Sequence, residues 1–359
     1  MKKFLLLIFI LVQLLAFNNK TFAQGCVAIR GASSCTMHEN GIPKEGYVFS
    51  SNYRYYKSFR HYREGNEEKQ RVEQGTDVRN YTNFLDLSLI RVLNSRWSLG
   101  INVPFSSTTR SSLYEHDGKT RHSTSSTGLG DMRFTVYRWM IDPAKMKKGN
   151  IQVGLGIKFA TGDYKYQDLF YKNDTTKLLG PVDQSIQLGD GGTGLTAEIN
   201  TFYNLSNKVS AYGNFYYLLN PREQNGTLTS RGSTPTAANI ANGSFVMSVP
   251  DQYMIRAGVN VRFNKASASL GIREEALPAK DLVGGSNGFR RPGYIIAAEP
   301  GFNYEFKKMN VYAYVPVALV RNRTQSVPDK IRSDLTKIRT VGDAAFADYS
   351  INIGASVRF

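Results

Sequence analysis

The sequence predicts an all-β chain closed into a transmembrane antiparallel barrel, and three observations lead there. Apolar and polar residues alternate along about a dozen runs, the period-2 pattern of a strand with one oily and one wet face. The links between these runs alternate in length, every second one being short. Beyond the amino-terminal segment, no stretch approaches the roughly 18 unbroken apolar residues of a spanning helix. Tyr (21), Phe (20) and Gly (32) are nevertheless abundant enough for aromatic girdles and tight turns.

The chain begins Met1-Lys2-Lys3, is almost without polarity from Phe4 to Phe17, and reaches Ala23-Gln24. This is the form of a secretory signal peptide over residues 1–24, cleaved near Gln24. A lipoprotein with Cys26 as the lipidated residue is the weaker alternative, because Gln24 stands where a small residue is wanted. Residues 25–45 are expected as a periplasmic tail or a plug. Their two cysteines, Cys26 and Cys35, are a disulfide candidate in an oxidising compartment, with no His or further Cys spacing to complete a metal site. The formal net charge is +16 and stays strongly positive without Lys2, Lys3 and Lys20. For an exported chain this points to anionic lipid headgroups or solutes rather than nucleic acid.

From Gly46 to the end the expected strands are Gly46 to Tyr62, Val78 to Leu93, Arg96 to Phe105, Thr127 to Ile141, Asn150 to Thr161 and Thr193 to Leu205. They continue with Lys208 to Asn220, Asp251 to Asn264, Lys265 to Ala276, Gly293 to Lys307, Met309 to Arg321 and Ala347 to Phe359. In the third run Trp97, Leu99, Ile101, Val103 and Phe105 make an apolar face against Arg96, Ser98, Gly100 and Asn102. The stretch Val311 to Val320 is apolar on both faces, so its register is open. Short links fall at Asn94-Ser95, Asp142 to Gly149, Ser206-Asn207, Asn264-Lys265 and Lys308. Long polar ones fall at Arg63 to Asp77, Ser106 to Ser126, Gly162 to Gly192, Pro221 to Pro250, Leu277 to Pro292 and Asn322 to Phe346.

An even strand number, here twelve, with short turns on the periplasmic side and long loops outside follows the rules of bacterial outer-membrane barrels. In lipid every backbone group must pair within the protein, so the sheet has to close. Tyr53, Tyr55, Tyr56, Tyr137, Trp139 and Tyr203 are expected at the membrane interfaces.

If the apolar face meets lipid, the opposite face lines the lumen. Parity places Arg54, Asp86, Asp131, Arg133, Lys158, Glu198, Arg256, Arg273 and Glu299 in its middle and upper part, with Arg262, Glu305 and Arg358 also inward. Both signs are present, as paired charges filling a narrow lumen or as a constriction that selects solutes. Gly189, Gly191 and Gly194 match G-x-G-x-x-G, but no strand precedes and no helix follows, so a dinucleotide site is rejected. Among the four histidines, His61 lies at the outer end of the first strand, where two outer-membrane hydrolase families place one. No Ser follows their motifs, and His61, His116 and His122 are expected as solvated loop residues. Arg290-Arg291 and Lys330 to Arg339 are expected as solvated faces or lipopolysaccharide contacts.

The last strand, Tyr349 to Phe359, alternates and ends on an aromatic, which resembles the terminal strand of Gram-negative outer-membrane barrels. That resemblance implies recognition of Phe359 by the barrel-assembly machinery. Thr127-Gly128-Leu129-Gly130-Asp131 resembles the strand opening of the phenol-degradation meta-pathway outer-membrane family, distant relatives of the fatty-acid channels. Lys158-Phe159-Ala160-Thr161-Gly162 is similar to that family's third-hairpin pattern. The resemblance implies that Gly128, Gly130 and Asp131 form a tight inward turn at the top of the fourth strand. The fatty-acid channels have a longer amino-terminal hatch than the segment before Gly46.

The expected function is a passive outer-membrane channel for a small hydrophobic or amphipathic compound, with no catalysis, metal or cofactor. Its expected partners are that solute, outer-membrane lipid and lipopolysaccharide, and the assembly machinery, with no nucleic acid. The alternatives are a closed barrel that docks a partner in an envelope complex and, from a third class, a membrane-embedded hydrolase using His61 or the loop histidines.

Overall fold

A computed structural model describes residues 45–146 and 148–359. The expected signal peptide, most of the segment expected as a periplasmic tail or plug, and the candidate Cys26–Cys35 disulfide lie outside the described residues. Twelve antiparallel strands close into one barrel. They are β1 (Gly46–Arg63), β2 (Arg79–Val92), β3 (Trp97–Ser112), β4 (His122–Leu129 and Arg133–Trp139), β5 (Gly149–Lys158) and β6 (Gly194–Asn204). The circle is completed by β7 (Val209–Leu219), β8 (Gln252–Phe263), β9 (Ala266–Leu277), β10 (Gly293–Glu305), β11 (Met309–Tyr314 and Val317–Arg323) and β12 (Ala344–Arg358). All twelve expected runs are strands.

Closure runs along β12 and β1, from Val48 opposite Arg358 to Tyr62 opposite Ala344. At the periplasmic end the backbones of Tyr47 and Phe359 exchange hydrogen bonds of 2.8 and 3.0 Å, and their rings stack at 5.9 Å. This pairing leaves the sheet no free edge, as a lipid setting requires.

The exposed large side chains are those of the apolar parity, among them Leu85, Leu89, Ile101, Leu155, Leu195, Ile199, Ile255, Leu270 and Ile353. The opposite parity is buried and polar, including Asn52, Thr82, Thr135, Gln152, Asn200 and Asn352. An apolar outer band around a polar interior is the inverse of a soluble core, and it is the arrangement lipid stabilises. No helix among the described residues is long and apolar enough to cross a membrane.

Four expectations need correction. β3 and β4 run on to Ser112 and back from His122, through residues expected as loop; Ser106↔Gly128 to Ser112↔His122 are paired. This extension is rich in Ser and Thr and has no apolar outer face, so the hydrophobic alternation that marks the lower half is missing. Second, Gly128, Gly130 and Asp131 are not a turn at a strand top. Leu129 pairs with Phe105 and Arg133 with Asn102, so one extra residue is inserted and β4 bulges in mid-strand.

Third, the ambiguous eleventh run is broken at Val315-Pro316, where proline cannot donate to the ladder. Fourth, Tyr56, Tyr137 and Trp139 point inward rather than to the interface. Tyr56 and Trp139 are buried, and the Tyr137 hydroxyl donates to Glu198 at 3.2 Å. Tyr53 and Tyr203 are exposed on the outer face.

Candidate functional site: a barrel mouth closed from outside

The bulge in β4 turns Asp131 into the lumen beside Lys158, the last residue of β5. Lys158 Nζ lies 3.1 Å from Asp131 Oδ2 and also bonds Asp190, in the loop between β5 and β6. The amides of Gly162 and Asp190 donate to the Asp131 carboxylate at 2.9 and 3.1 Å. Thr161 Oγ1 donates to the Gly130 carbonyl at 2.9 Å and accepts from the Met132 amide at 2.8 Å. The two T-G motifs of the sequence are thus one structure. Gly162 and Gly189 permit it by close approach, since a Cβ on Gly162 would come within 2.8 Å of Gly189 backbone atoms.

From this clamp the loop folds inward. A hairpin (Gln167–Tyr171 with Lys177–Pro181) leads into residues 182–191, which cross the mouth of the barrel. Val182, Asp183, Ile186, Gln187 and Leu188 of this segment are buried. Its outer anchor is Asp183, which receives both Arg291 Nη atoms at 2.9 and 2.7 Å and has Arg110 at 3.5 Å. Burial pushes the Asp183 carboxyl up, but the Arg110 and Arg291 charges outweigh it and hold it well below the usual range. The inner anchor is Asp190, held by Lys158 and by Asn220 Nδ2 at 3.3 Å.

Beneath the segment lies a cavity of about 90 Å³, whose wall mixes Tyr56, Phe84, Tyr216, Leu218, Met247 and Leu277 with Asp131, Arg133 and Lys158. Arg133 stacks over the Tyr216 ring at 5.3 Å and donates to Asn102 at 3.1 Å. Its buried Nη1 has no hydrogen-bond partner among the described residues.

The other inward charges form a chain across the lumen. Arg54 on β1 reaches Glu275 on β9 at 3.4 Å and Asn352 on β12 at 2.8 Å. Glu275 also bonds Arg273, whose Nη1 lies 3.1 Å from Glu299, and Glu299 takes the Arg256 Nε at 2.9 Å. β1 and β9 are not neighbours in the sheet, since β10, β11 and β12 lie between them, so the Arg54–Glu275 pair is a chord through the interior. Glu198 is buried against Tyr137, and Asp86 is half-buried with Oδ1 unpaired among the described residues.

Of the nine residues chosen by parity, all but the half-buried Asp86 are buried, and most are ion-paired. Sequence reasoning missed Glu275, although it shares the parity of Arg273. It also missed Arg110, Asp183 and Asp190, which lie in stretches with no periodic signal.

The three described histidines are structural. His61 Nε2 accepts the Val78 amide proton at 2.8 Å, so its proton sits on Nδ1, which contacts Asp343 at 2.7 Å. Both ring nitrogens are committed, leaving no lone pair for a nucleophile's proton. His122 stacks on Tyr171 at 4.0 Å and His116 Nδ1 accepts the Tyr171 amide at 3.1 Å, fastening the hairpin to its neighbour loop rather than facing solvent. Arg290 and Arg291 are likewise turned inward, Arg290 onto Asp281 and Arg291 onto Asp183. No group of three or more His, Cys, Asp or Glu among the described residues is arranged to hold a metal.

No family model and no curated protein sequence matches the chain. Among solved structures, an outer-membrane channel from Pseudomonas putida F1 superposes with a TM-score of 0.59 at 12% identity, over 92% of this chain and 100% of that one. A Pseudomonas aeruginosa FadL homologue aligns at a TM-score of 0.44 and 9% identity, over 94% and 96%. The first likeness establishes a shared barrel fold.

Proposed function

We propose that this barrel is a passive outer-membrane channel for a small hydrophobic or amphipathic compound, normally closed at its outer mouth by residues 182–191. The observation that carries the proposal is the Asp131–Lys158–Asp190 clamp, which holds an extracellular loop inside the lumen over a cavity of mixed apolar and charged wall. A wall of that composition suits a solute with an apolar body and a polar end. A closing segment tied by a few ion pairs is an element that can leave without unfolding the barrel. The likeness to an outer-membrane channel supports the same reading. Asp131, Arg133, Lys158 and Glu198 would form the upper constriction, and Arg54, Arg256, Arg273 and Glu299 the lower one.

The chord from Arg54 to Glu275 favours a second reading, a barrel sealed through its length that serves as a docking subunit. Liposome swelling separates the two. Purified full chain reconstituted in vesicles is expected to admit small aromatic and amphipathic solutes faster than sugars of equal mass. No permeation by any solute class overturns the channel reading.

A further inference from the structure

Outside the closing segment, on the extracellular side, is a second and larger cavity of about 280 Å³. Six arginines line it, Arg110, Arg231, Arg290, Arg291, Arg323 and Arg332, against three carboxylates, Glu115, Asp329 and Asp343. Adding the flanking partners Arg71, Asp183 and Asp281 gives seven arginines against five carboxylates, a surplus of two positive charges. Among the described residues, ion pairing within the cluster therefore does not neutralise it.

The wall is built rather than incidental. Arg323 is buried; its Nη2 pairs with Asp329 at 3.0 Å, while its Nε has no hydrogen-bond partner among the described residues. Asp329 is fixed in turn by a capping box with Ser326 at the start of the helix Val327–Thr336, which also carries the exposed Arg332 to the rim. A buried guanidinium N–H without an acceptor costs free energy unless something supplies one. Tyr114 and Phe289 add ring surface to the same wall. Guanidinium forks beside aromatic faces are the chemistry that recognises a carboxylate, sulfonate or phosphate joined to an apolar body.

We propose that this vestibule is a capture site for small organic anions, so that the solute presented to the channel is an amphipathic anion rather than a neutral hydrocarbon. The proposal rests on the channel reading for its biological sense, but the site itself is tested by binding alone. The shared headgroup chemistry has two sources, a free solute and the phosphates of lipid A. Burial of the Arg110, Arg290 and Arg323 guanidiniums in its wall favours the free solute, which can enter the cavity to reach them.

The test is a fluorescence titration of the full chain in a non-ionic maltoside with 1-naphthyl phosphate, with 1-naphthol as the uncharged control. Saturable binding of the phosphate is expected. It should weaken about tenfold in Arg332→Gln and in Arg323→Gln, each loss matching one charge-assisted contact. It should also weaken with added salt and be displaced by inorganic phosphate.

Arg332 is exposed, so its variant keeps the test valid if Arg323→Gln misfolds. Equal affinity for 1-naphthol, or no change in the Arg332 variant, overturns the proposal. Displacement by lipid A but not by inorganic phosphate also overturns it, in favour of a lipid contact. Anion binding without permeation in the liposome assay would refute the channel while leaving the site standing.

Discussion

Asp131 and Lys158 meet at 3.1 Å across the mid-strand bulge of β4 and the end of β5, and the outer loop is held in the barrel mouth through that pair. Both side chains are almost fully buried, so the pair is not a surface ion pair of negligible worth. Removing Asp131 leaves Lys158 paired with Asp190 but takes away the acceptor of the Gly162 and Asp190 amides. Asp131→Ala is expected to destabilise the closed mouth by roughly 1–3 kcal/mol, the cost of leaving buried donors unsatisfied. Liposome swelling should then accelerate, while the barrel still runs as a folded, heat-modifiable species on electrophoresis.

The outer anchor should respond to acid. The Asp183 carboxyl is held below its ordinary value in the folded chain, so its contribution is fully present above the unfolded value of about 4 and is lost as pH falls through the lower folded value. Single-channel recordings are expected to show no pH-dependent opening between about pH 5 and 8 and increased open probability only below about pH 4. Asp183→Asn should remove that acid response and open the channel at neutral pH.

His61 is expected to matter for stability and not for chemistry. Its Nε2 accepts the buried Val78 amide, and Asp343, kept low by His61 and Arg71 despite burial, takes the other side. His61→Ala should cost roughly 1–3 kcal/mol, the penalty of an unsatisfied buried group. Esterase and peptidase rates should be the same for His61→Ala and the parent chain. A loss of hydrolysis confined to the variant would restore the hydrolase reading.

Arg133 presents a buried donor, Nη1, to the cavity beneath the closing segment. Arg133→Ala should lower the permeability of anionic solutes relative to neutral ones by about tenfold, the worth of one charge-assisted hydrogen bond. Unchanged selectivity in a folded variant would remove Arg133 from the solute path.

The barrel was legible in the sequence because lipid imposes the strictest pattern available, one apolar face in every spanning strand. Ile101, Leu155, Ile255 and Leu270 announce their strands, and by parity Arg54, Arg133, Lys158 and Glu299 their lumen. Where that constraint ends, so does the signal. The upper halves of β3 and β4 stand clear of lipid and carry Ser and Thr on both faces, so they look like loop.

The closing segment was harder to see. Asp183 and Asp190 are polar residues in a polar loop, and their burial depends on Arg110, Arg291 and Lys158, brought to them from other strands and loops by closure of the sheet. The two T-G motifs, Thr127-Gly128 and Thr161-Gly162, are separate in the sequence. That Gly162 donates to Asp131 is a consequence of strand register, which neither motif states.

The most direct test of the proposed channel is liposome swelling by the full chain, compared with a variant in which Asp183 and Asp190 are both replaced by Asn. The expected result is slow, solute-selective swelling by the parent chain and swelling at least about tenfold faster by the folded variant, since both anchors of residues 182–191 are lost together. Equal rates in the two, or no permeation by either, would contradict a channel closed at its mouth by that segment.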